Sequence, residues 1–408
     1  MKQLIQSLND GKVELLESPL PSLKPDSVLI KSHYSLISPG TEKMLLSFGK
    51  ANLLDKARQQ PEKVKQVLNK ISTDGVIDTL EAVNSKLSTP IPLGYSNSGT
   101  VIESSCNEFN IGDRVISNGS HSEVVCVNKN LVARMPNDIT FEHASFGVIG
   151  SISLHGIRKL KPEIGETVVV YGLGLIGLIA VQILRSSGIN VIAIDIDDSK
   201  LKLAESFGAN IINPISSNLI DKVMSQTSNI GCDAVLICAS AETNEIIENS
   251  SEILRKKGRI VLIGVVGLSL NRDIFYKKEI DFSVSCSYGP GRYDYDYEVK
   301  GIDYPISYVR WTEKRNFETV LKLISDNKLD VNQLISKKVD FENSPKIFER
   351  LVNDNSLGIL INYNQKNQNE NLRSKIIQKN IKKTTSGNLI GAIGAGNHFS
   401  RKILPYLP

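Results

Sequence analysis

A glycine-rich segment near the middle of the chain constrains its fold more than any other feature. The apolar run Val168–Tyr171 leads into Gly172-Leu-Gly-Leu-Ile-Gly177, and apolar residues with helical spacing follow over Leu178–Leu184. A second apolar run, Val191–Ile194, ends at Asp195. A strand, a glycine-rich turn, a helix, a strand and a terminal acid, in this order, form the βαβ unit that holds a dinucleotide. The pattern therefore predicts a Rossmann-type domain.

Each glycine of this turn has a predicted role. Gly172 permits the tight turn, Gly174 lets backbone N–H groups approach a pyrophosphate, and Gly177 lets the helix lie close to the sheet. The helix N-terminus then presents its positive dipole end to the phosphates. The alternative is that the glycines serve packing alone, in a degenerate βαβ unit that binds no dinucleotide. The predicted cofactor-binding residues are Gly172, Leu173, Gly174, Leu175, Ile176, Gly177, Asp195, Ile196, Lys200, Ala239, Ser240, Gly264 and Val265.

Asp195 indicates which dinucleotide binds. A carboxylate at the end of the second strand accepts hydrogen bonds from both ribose hydroxyls of NAD and repels the 2′-phosphate of NADP. Lys200 is the only cation nearby, and we interpret Asp197 and Asp198 as the solvated N-cap of the next helix. NAD is therefore the predicted cofactor.

Length and composition set the class of protein. A chain of 408 residues with 41% apolar content fits two to three globular domains. No stretch reaches 18 apolar residues and the N-terminus lacks a signal-peptide core, so we expect a cytoplasmic protein. The five cysteines form no C-x-x-C pair, which argues against a disulfide framework or a zinc knuckle.

Positive charge is concentrated at the C-terminal end. Residues 366–408 contain eight Lys and Arg against one acid, whereas the formal net charge of the whole chain is +4. The segment lacks interleaved aromatic residues, so we interpret it as mainly a solvated linker. Neither nucleic acid nor a membrane is an expected partner.

The first part of the chain has the patterns of a small β-barrel. Residues 1–36 alternate as short strands, most clearly at Val13–Leu16 and Val28–Tyr34. Residues 41–85 have helical spacing and are predicted to be a helical insertion. Strand patterns resume at Ser98 and continue to Met135, and the barrel is expected to close near residue 140.

Strands and helices alternate in the middle of the chain, which predicts a parallel sheet. Beyond the glycine-rich unit, the predicted strands are Ile211–Ile212, Asp233–Cys238 and Arg259–Gly264, and the predicted helices are 199–208, 217–226 and 241–256. Residues 270–285 are predicted to form two strands around a turn. Helices near 316–325 and 344–353 and a last strand Gly358–Tyr363 follow.

A second strand and glycine-rich turn, Leu389-Ile-Gly-Ala-Ile-Gly-Ala-Gly-Asn-His-Phe399, lies close to the end of the chain. A strand and one helix cannot bury a core of their own. We therefore expect the chain to be a fragment of a longer protein with a second nucleotide-binding domain. The alternative is an ordinary C-terminal turn at Gly394 and Gly396.

The order of these parts resembles the medium-chain dehydrogenase/reductase superfamily over about residues 1–363. Similar elements are Pro39-Gly-Thr-Glu42, Leu93-Gly-Tyr-Ser96, Ile111-Gly-Asp-Arg-Val115 and the Gly172–Asp195 unit. The resemblance implies an α/β fold with a GroES-like barrel at 1–140 and 300–363 and a doubly wound Rossmann domain at 141–299.

The later segment is similar to bacterial bi-domain oxidoreductases. The similar stretches are Ser287-Tyr-Gly-Pro-Gly-Arg-Tyr-Asp294, Gly301-Ile-Asp-Tyr-Pro305 and Tyr308-Val-Arg-Trp-Thr-Glu313. In such proteins a zinc-lacking alcohol dehydrogenase-like half is fused to a Gfo/Idh/MocA-type oxidoreductase. The resemblance implies a linker at 364–387, the start of that second domain at 388–408, and the rest of it as a partner missing from this chain. The sequence leaves open whether this protein forms a homo-oligomer.

The chain departs from the zinc enzymes at the expected metal ligands. Ser38 or Pro39, Tyr95 and approximately Ile149 stand where the resemblance implies thiolate, imidazole and thiolate ligands, so no metal is predicted. Without a Lewis acid, hydride transfer needs a protein acid or base.

Four residues are candidates for that acid or base, each with a structural alternative. Tyr95 is a phenol at a former ligand position, and Thr41 matches a proton-relaying hydroxyl of the zinc enzymes. His155 and His121, the latter beside Glu123 on a barrel strand, carry imidazoles, a group whose ordinary pKa lies near neutral pH. The alternatives are a packed aromatic residue, a turn threonine and structural histidines.

An aromatic segment supplies candidates for binding the small-molecule substrate. Arg292, Arg310 and Trp311 lie among tyrosines and are predicted to bind an acidic or sugar-phosphate group by bidentate contacts and stacking. The alternative is a packed aromatic cover between domains.

The sequence thus predicts a zinc-independent, NAD(H)-dependent alcohol dehydrogenase-like enzyme acting on a sugar-like or other polar alcohol. Two alternatives remain open at this point. One is a structural or regulatory NAD-binding module that has lost catalysis; the other is enoyl or quinone reduction by NADPH, against which Asp195 argues.

Overall fold

The structure, a computed structural model, describes residues 1–8, 10–40, 42–43, 46, 89–351, 354–364, 393–394, 399 and 403–407. The chain divides into two units, Met1–Ser374 and Lys375–Pro408. The helical insertion predicted at 41–85 lies almost entirely outside the described residues, as does most of the predicted linker and second nucleotide-binding domain. Those predictions stay predictions.

The first unit contains sixteen strands within its described residues. They are β1 Lys2–Gln6, β2 Val13–Glu17, β3 Ser27–Ile37, β4 Ile91–Pro92, β5 Asn97–Ser104, β6 Arg114–Ser117, β7 Val124–Asn128, β8 Val132–Arg134, β9 Thr167–Tyr171, β10 Asn190–Ile194, β11 Asn210–Ile212, β12 Cys232–Ile237, β13 Leu254–Leu262, β14 Asp281–Val284, β15 Ile335–Asp340 and β16 Gly358–Asn362.

The α-helices lie mostly between the later strands. They are α1 Phe141–Ala144, α2 Gly147–Leu160, α3 Leu175–Ser186, α4 Asp198–Ser206, α5 Leu219–Gln226, α6 Glu245–Ile253, α7 Arg272–Lys278, α8 Tyr295–Glu298, α9 Glu313–Ser325 and α10 Ser344–Arg350. None of the described helices is long and apolar enough to cross a bilayer.

The glycine-rich unit lies at the centre of a six-stranded parallel sheet of order β11-β10-β9-β12-β13-β14. Residues of β9 alternate between two cores, with Val168 and Val170 on one face and Val169 and Tyr171 on the other. Burial on both faces explains why these strands are continuous apolar runs. The strand order reverses next to β9, so the carboxyl end of β9 is the switch point where ligands bind in such sheets.

The N-terminal strands form a second, mainly antiparallel sheet. Its order is β15-β16-β3-β5-β6-β8, with β7 also paired to β3. The long strand β3 is its centre, and β16 pairs antiparallel with β3 at Leu36 and Leu360. The chain therefore returns to the antiparallel sheet after completing the parallel one.

Two helices connect the two sheets. Helix α2 packs against α3, α9 and strand β13. The largest apolar core joins Leu36 and Ile116 of the antiparallel sheet with Val168 of the parallel sheet and Phe317 of α9. Because one continuous core spans both sheets, loops from each can meet at a common site.

Several sequence predictions need correction. Residues 270–285 contain helix α7 and strand β14, not two strands. The helix predicted at 241–256 ends at Ile253, and Leu254 begins β13. Strand β15 was not predicted, because Ser336, Lys337 and Lys338 are exposed along this edge strand and interrupt any apolar pattern.

Candidate active site

The turn between β9 and α3 combines close packing with open space. Gly172 has φ +94°, a conformation that L side chains rarely adopt. A Cβ on Gly177 would overlap the carbonyl oxygen of Gly172, so the helix packs directly on the turn. At Gly174 a Cβ would meet nothing within 4 Å. The N-terminus of α3 is therefore open to an anionic ligand.

Asp195 lies against this turn, immediately after β10. Its Oδ2 accepts a hydrogen bond from the Leu173 backbone N–H at 2.6 Å, and its Oδ1 accepts one from the Asp197 N–H at 2.9 Å. A carboxylate accepts about four hydrogen bonds, so both oxygens keep capacity for ribose hydroxyls. Lys200 lies 3.7 Å from Asp197, which offsets its charge.

Two further loops reach the same edge of the sheet. Ser240 and Val265 form an isolated parallel bridge beyond the ends of β12 and β13. A Cβ on Gly264 would overlap the Ala239 carbonyl, so these loops touch. Ile196 is 66% exposed and Val265 is 60% exposed. The structure thus brings the predicted cofactor-binding residues to the carboxyl ends of four adjacent strands.

Two side chains in the first turn of α3 pack into the protein core. Leu175 is buried in the main core, and Ile176 packs against it. The Ile176 carbonyl accepts a hydrogen bond from the Ser153 hydroxyl of α2 at 2.7 Å. These two side chains support the turn; its ligand-facing groups are the backbone N–H groups.

The residues at the positions where the resemblance implied zinc ligands do not form a ligand set. Ser38 is 3% exposed, Ile149 is fully buried in α2, and Tyr95 packs half-buried against the main core. None of these side chains offers a thiolate or an imidazole. Among the residues that the structure describes, no three His, Cys, Asp or Glu side chains group as a metal ion would require.

His121 lies inside the antiparallel domain, not at a surface. Its ring is fully buried, with Nδ1 2.8 Å from Ser35 Oγ and Nε2 3.2 Å from Glu42 Oε1. Ser35 Oγ in turn lies 2.9 Å from the Tyr363 hydroxyl. The predicted neighbour Glu123 instead accepts a hydrogen bond from the Lys2 N–H. Complete burial places His121 away from direct contact with a substrate.

His155 occupies a half-buried position on α2. A Cβ on Gly289 would lie 3.2 Å from its Nδ1, so the ring packs against the loop after β14. Burial, together with the charges of Lys159 and Arg158, lowers the pKa of His155 to about 4. His155 is therefore a neutral imidazole at pH 7. Thr41, the fourth catalytic candidate, lies outside the described residues.

Trp311 is held between two guanidinium groups. Arg158 Cζ lies 3.4 Å and Arg310 Cζ 3.9 Å from the centre of its ring. Arg158 Nε also donates to Asn316 Oδ1 at 3.0 Å. Burial and the charge of Arg310 lower the pKa of Arg158 to about 10. Trp311 is thus a stacked element of the protein rather than a free aromatic surface.

Arg292 has an acidic partner within its own loop. Its Nη1 donates to Glu298 Oε1 at 2.5 Å, and its Cζ lies 4.3 Å from the ring centre of Tyr293. The predicted substrate-binding residues therefore divide into two sets, Arg292 with Glu298 and Trp311 between Arg158 and Arg310. Asn316 connects the two sets. Its Oδ1 accepts from Arg158 Nε, and its Nδ2 donates at 2.8 Å to the carbonyl of Tyr288, which lies in the same loop as Arg292.

Sequence reasoning missed two buried carboxyl groups, Glu42 and Glu313. Both are completely buried. Glu313 is the first residue of α9, where an acid is common because it complements the helix dipole. The helix dipole explains why an acid stands at this position but not why it is buried. Its burial comes from tertiary packing.

Comparison with known proteins agrees with this geometry. Residues 176–300 match the family model described as zinc-binding dehydrogenase. The chain is 28% identical to D-guloside 3-dehydrogenase from Escherichia coli K12 over 273 residues, which cover 64% of this chain and 73% of that protein. It is 23% identical to D-arabitol-phosphate dehydrogenase from Enterococcus avium over 343 residues, covering 73% and 90%. The chain is an alcohol dehydrogenase-like oxidoreductase. Its residues 176–300 are similar to the zinc-binding dehydrogenases.

A solved structure supports the fold. Alcohol dehydrogenase TADH from Thermus sp. ATN1 superposes with a TM-score of 0.68 at 19% identity, covering 89% of this chain and all of that one. The predicted combination of a GroES-like domain with a Rossmann domain is confirmed, and so is the predicted enzyme class. The alternative interpretation, a structural or regulatory NAD-binding module that has lost catalysis, is not favoured, because the relatives are named dehydrogenases.

Proposed function

We propose that this oxidoreductase uses NAD(H) to transfer a hydride between a secondary alcohol and a ketone, without zinc. The observation that carries the proposal is the position of Asp195. Its carboxylate binds the backbone of the glycine-rich turn and keeps acceptor capacity at the switch point of the parallel sheet.

The chain would hold the dinucleotide through three groups. The open face at Gly174 and the N–H groups at the start of α3 would receive the pyrophosphate, and Asp195 would accept the ribose hydroxyls. Exposed Ile196 and Val265 would cover the apolar faces of the adenine. When bound, the nicotinamide supplies or accepts the hydride.

The acidic groups after β10 support a preference for NAD over NADP. Asp195 lies where a 2′-phosphate would have to fit, and close negative charges raise the cost of binding it. Lys200 is paired with Asp197 at 3.7 Å, so part of its charge is already neutralised.

The residues at the former ligand positions support zinc independence, because Pro39, Tyr95 and Ile149 offer neither thiolate nor imidazole. A proton must then be exchanged with a protein group. Tyr95 is our preferred candidate, since it is a phenol at a position where a zinc ligand was expected and it lies half-buried against the main core. Neutral His155 would act only as a hydrogen-bonding group at pH 7.

We propose a sugar-like or polyol substrate. The two relatives named above are a D-guloside 3-dehydrogenase and a D-arabitol-phosphate dehydrogenase, whose names describe sugar-like and polyol substrates. We also propose the division into 1–140 with 300–363 and 141–299, and the second, Gfo/Idh/MocA-type domain beginning near 388. These rest on the motif resemblance.

Turnover of a panel of alcohols tests the proposal. The purified protein is treated with a chelator and incubated with NAD and sorbitol, methyl glucosides or butanediol, and the absorbance of NADH is followed. Activity that survives chelation is expected. Activity that appears only after zinc is added would refute zinc independence, and NADH binding without any turnover would refute catalysis.

A further inference from the structure

Two arginine side chains share one aromatic ring where α2 packs against α9. Arg158 Cζ lies 3.4 Å and Arg310 Cζ 3.9 Å from the centre of the Trp311 ring. Arg310 is exposed, and Arg158 and Trp311 are half-buried, so a dissolved molecule can reach the cluster. Among the described residues, neither guanidinium group has a carboxylate partner. Two like charges held this close repel each other, and a bound anion would relieve the repulsion.

Every other lysine and arginine between residues 292 and 315 has an acidic partner. The ion pairs are Arg292–Glu298, Lys300–Asp296, Lys314–Glu108 and Arg315–Asp303. Trp311 directly precedes Thr312, the N-cap of α9, so the positive end of that helix dipole lies beside the cluster. The described part of the protein therefore leaves the positive charge around Trp311 without a counter-ion.

The two arginines keep hydrogen-bond donors for a ligand. A guanidinium group has five N–H donors. Arg158 uses Nε for Asn316 Oδ1 at 3.0 Å and Nη2 for Thr319 Oγ1 at 3.4 Å, which holds its side chain against α9. Its Nη1 and the donors of Arg310 make no hydrogen bond to another described residue. The cluster thus offers several N–H groups on two cations, one of which is already held in place.

Contacts of α2 place the cluster beside the ligand-binding edge of the parallel sheet. His155 lies three residues before Arg158, on the same face of α2, and packs against Gly289 of the loop after β14. A Cβ on Gly156 would overlap Ile263 Cδ1, so α2 also touches the residue that directly follows β13. The cluster therefore borders the carboxyl ends of the parallel strands, where the substrate of the proposed reaction would lie.

The charge and shape of the cluster determine the class of ligand. A phosphate monoester has a charge of about −1.5 to −2 at pH 7 and three acceptor oxygens, so it matches two planar guanidinium groups. A carboxylate has a single negative charge, which one guanidinium fork satisfies. A neutral sugar would need an open aromatic face, but the arginines already stack on Trp311.

We propose that Arg158 and Arg310 form a subsite for the phosphate group of a sugar phosphate or polyol phosphate substrate. Trp311 aligns the two guanidinium groups. The subsite deepens the proposed function, on which it rests for the sugar or polyol part of the substrate. It retains Arg310 from the sequence prediction and replaces Arg292, whose charge Glu298 neutralises, with Arg158.

The fluorescence of Trp311, the single tryptophan of the chain, reports on the subsite directly. The whole protein is titrated without nucleotide, at constant ionic strength, with sorbitol 6-phosphate, inorganic phosphate, gluconate and sorbitol. Sorbitol 6-phosphate should change the emission in a saturable manner, because the bound phosphate orders the two guanidinium groups beside the indole. Gluconate and sorbitol should bind at least about tenfold more weakly. Calorimetry of the same titrations measures the affinities independently of the emission.

Arg310→Gln and Arg272→Gln form a matched pair of variants. Arg272 is likewise an exposed arginine beside an aromatic ring, with Cζ 5.1 Å from the centre of Tyr276. Arg310→Gln should weaken binding of sorbitol 6-phosphate at least about tenfold, whereas Arg272→Gln should bind like the wild type. Arg310→Lys keeps the charge but not the planar fork, so its affinity should lie between the two. Because Arg310 is exposed, these variants should fold.

Inorganic phosphate separates the two sources of the bound group, a phosphorylated substrate and free phosphate. It should compete with sorbitol 6-phosphate but bind at least about tenfold more weakly, because it lacks the polyol part. Equal affinity of the two ligands would mean that the subsite takes free phosphate, and it would overturn the assignment to the substrate.

Three further results would overturn the subsite. They are equal binding of sorbitol and sorbitol 6-phosphate, gluconate binding as tight as that of sorbitol 6-phosphate, and unchanged affinity in Arg310→Gln. None of these titrations contains NADH, so such results leave the cofactor proposal standing. Failure to bind NADH while sorbitol 6-phosphate still binds would instead refute the proposed function and not the subsite.

Discussion

The carboxylate of Asp195 and the backbone N–H of Leu173 are joined by a hydrogen bond of 2.6 Å. This bond connects the end of β10 to the glycine-rich turn after β9, 22 residues away in sequence. It orients the carboxylate before any ligand arrives, which lowers the entropy cost of binding. The acid that we propose selects the cofactor thus also holds the turn that would receive the pyrophosphate.

Gly177 and Gly174 should respond differently to alanine. Gly177→Ala places a Cβ against the Gly172 carbonyl and should destabilise the protein by about 1–3 kcal/mol, measured by urea unfolding. Gly174→Ala meets nothing within 4 Å and should cost less than about 1 kcal/mol while weakening NADH binding. Equal stability losses in the two variants would contradict the assignment of packing to one glycine and ligand access to the other.

The buried pair of His121 and Glu42 should behave as a coupled unit. Glu42→Leu leaves a buried imidazole nitrogen without its partner and should cost about 1–3 kcal/mol of unfolding free energy. The double variant Glu42→Leu, His121→Leu should cost less than the sum of the single variants. Denaturant unfolding of all four proteins gives the coupling energy. Additive losses would show that the two side chains contribute independently.

His155 should make the protein less stable in acid. Its pKa is lowered to about 4 in the folded state, whereas an unfolded histidine titrates near 6.5, so the unfolded state binds more protons between these values. Stability should therefore fall as the pH drops from about 6.5 to 4. His155→Gln should remove about 1 kcal/mol of this fall, a value discounted for partial exposure. Unfolding curves of the wild type and the variant at pH 6.5 and 4 measure this effect. An equal loss of stability in the two proteins would contradict the lowered pKa.

Glu313 should have the opposite effect, at higher pH. Burial raises its pKa to about 9, so the folded state binds more protons than the unfolded state from about pH 4.5 upward. Arg292, Glu298, Tyr288, Tyr297 and Tyr304 are charged or titratable groups that interact with it. The wild-type protein should lose at least about 1 kcal/mol relative to Glu313→Gln between pH 5 and 9. A difference independent of pH would mean that Glu313 is ionised in the folded protein.

The elements that the sequence predicted best are those whose pattern is set locally. The turn at Gly172, the apolar run of β9 and Asp195 each follow from backbone geometry and burial on both faces. Helix α7 was mistaken for a strand because Ile274, Phe275, Ile280 and Phe282 are spaced irregularly and no residue of α7 is fully buried. Such a segment has no clear period.

The missed parts of the candidate site depend on contacts between distant segments. Glu42 meets His121, 79 residues away, and Glu313 is buried by the loop around Pro290. Neither contact leaves a signal in local spacing or composition. His155 was predicted as a candidate on the helix that leads into the parallel sheet, but its pKa is lowered mainly by burial, which a helical pattern does not reveal.

The central claim is that Asp195 directs this oxidoreductase to NAD(H). A fluorescence titration with NADH and NADPH, using energy transfer from the single Trp311, tests it most directly on the wild-type protein, Asp195→Ala and the exposed control Asp198→Ala. We predict that wild type and control bind NADH more tightly than NADPH, and that Asp195→Ala weakens NADH binding about tenfold or more and loses the preference. Tighter binding of NADPH by the wild-type protein, or no binding of either nucleotide, would contradict the account.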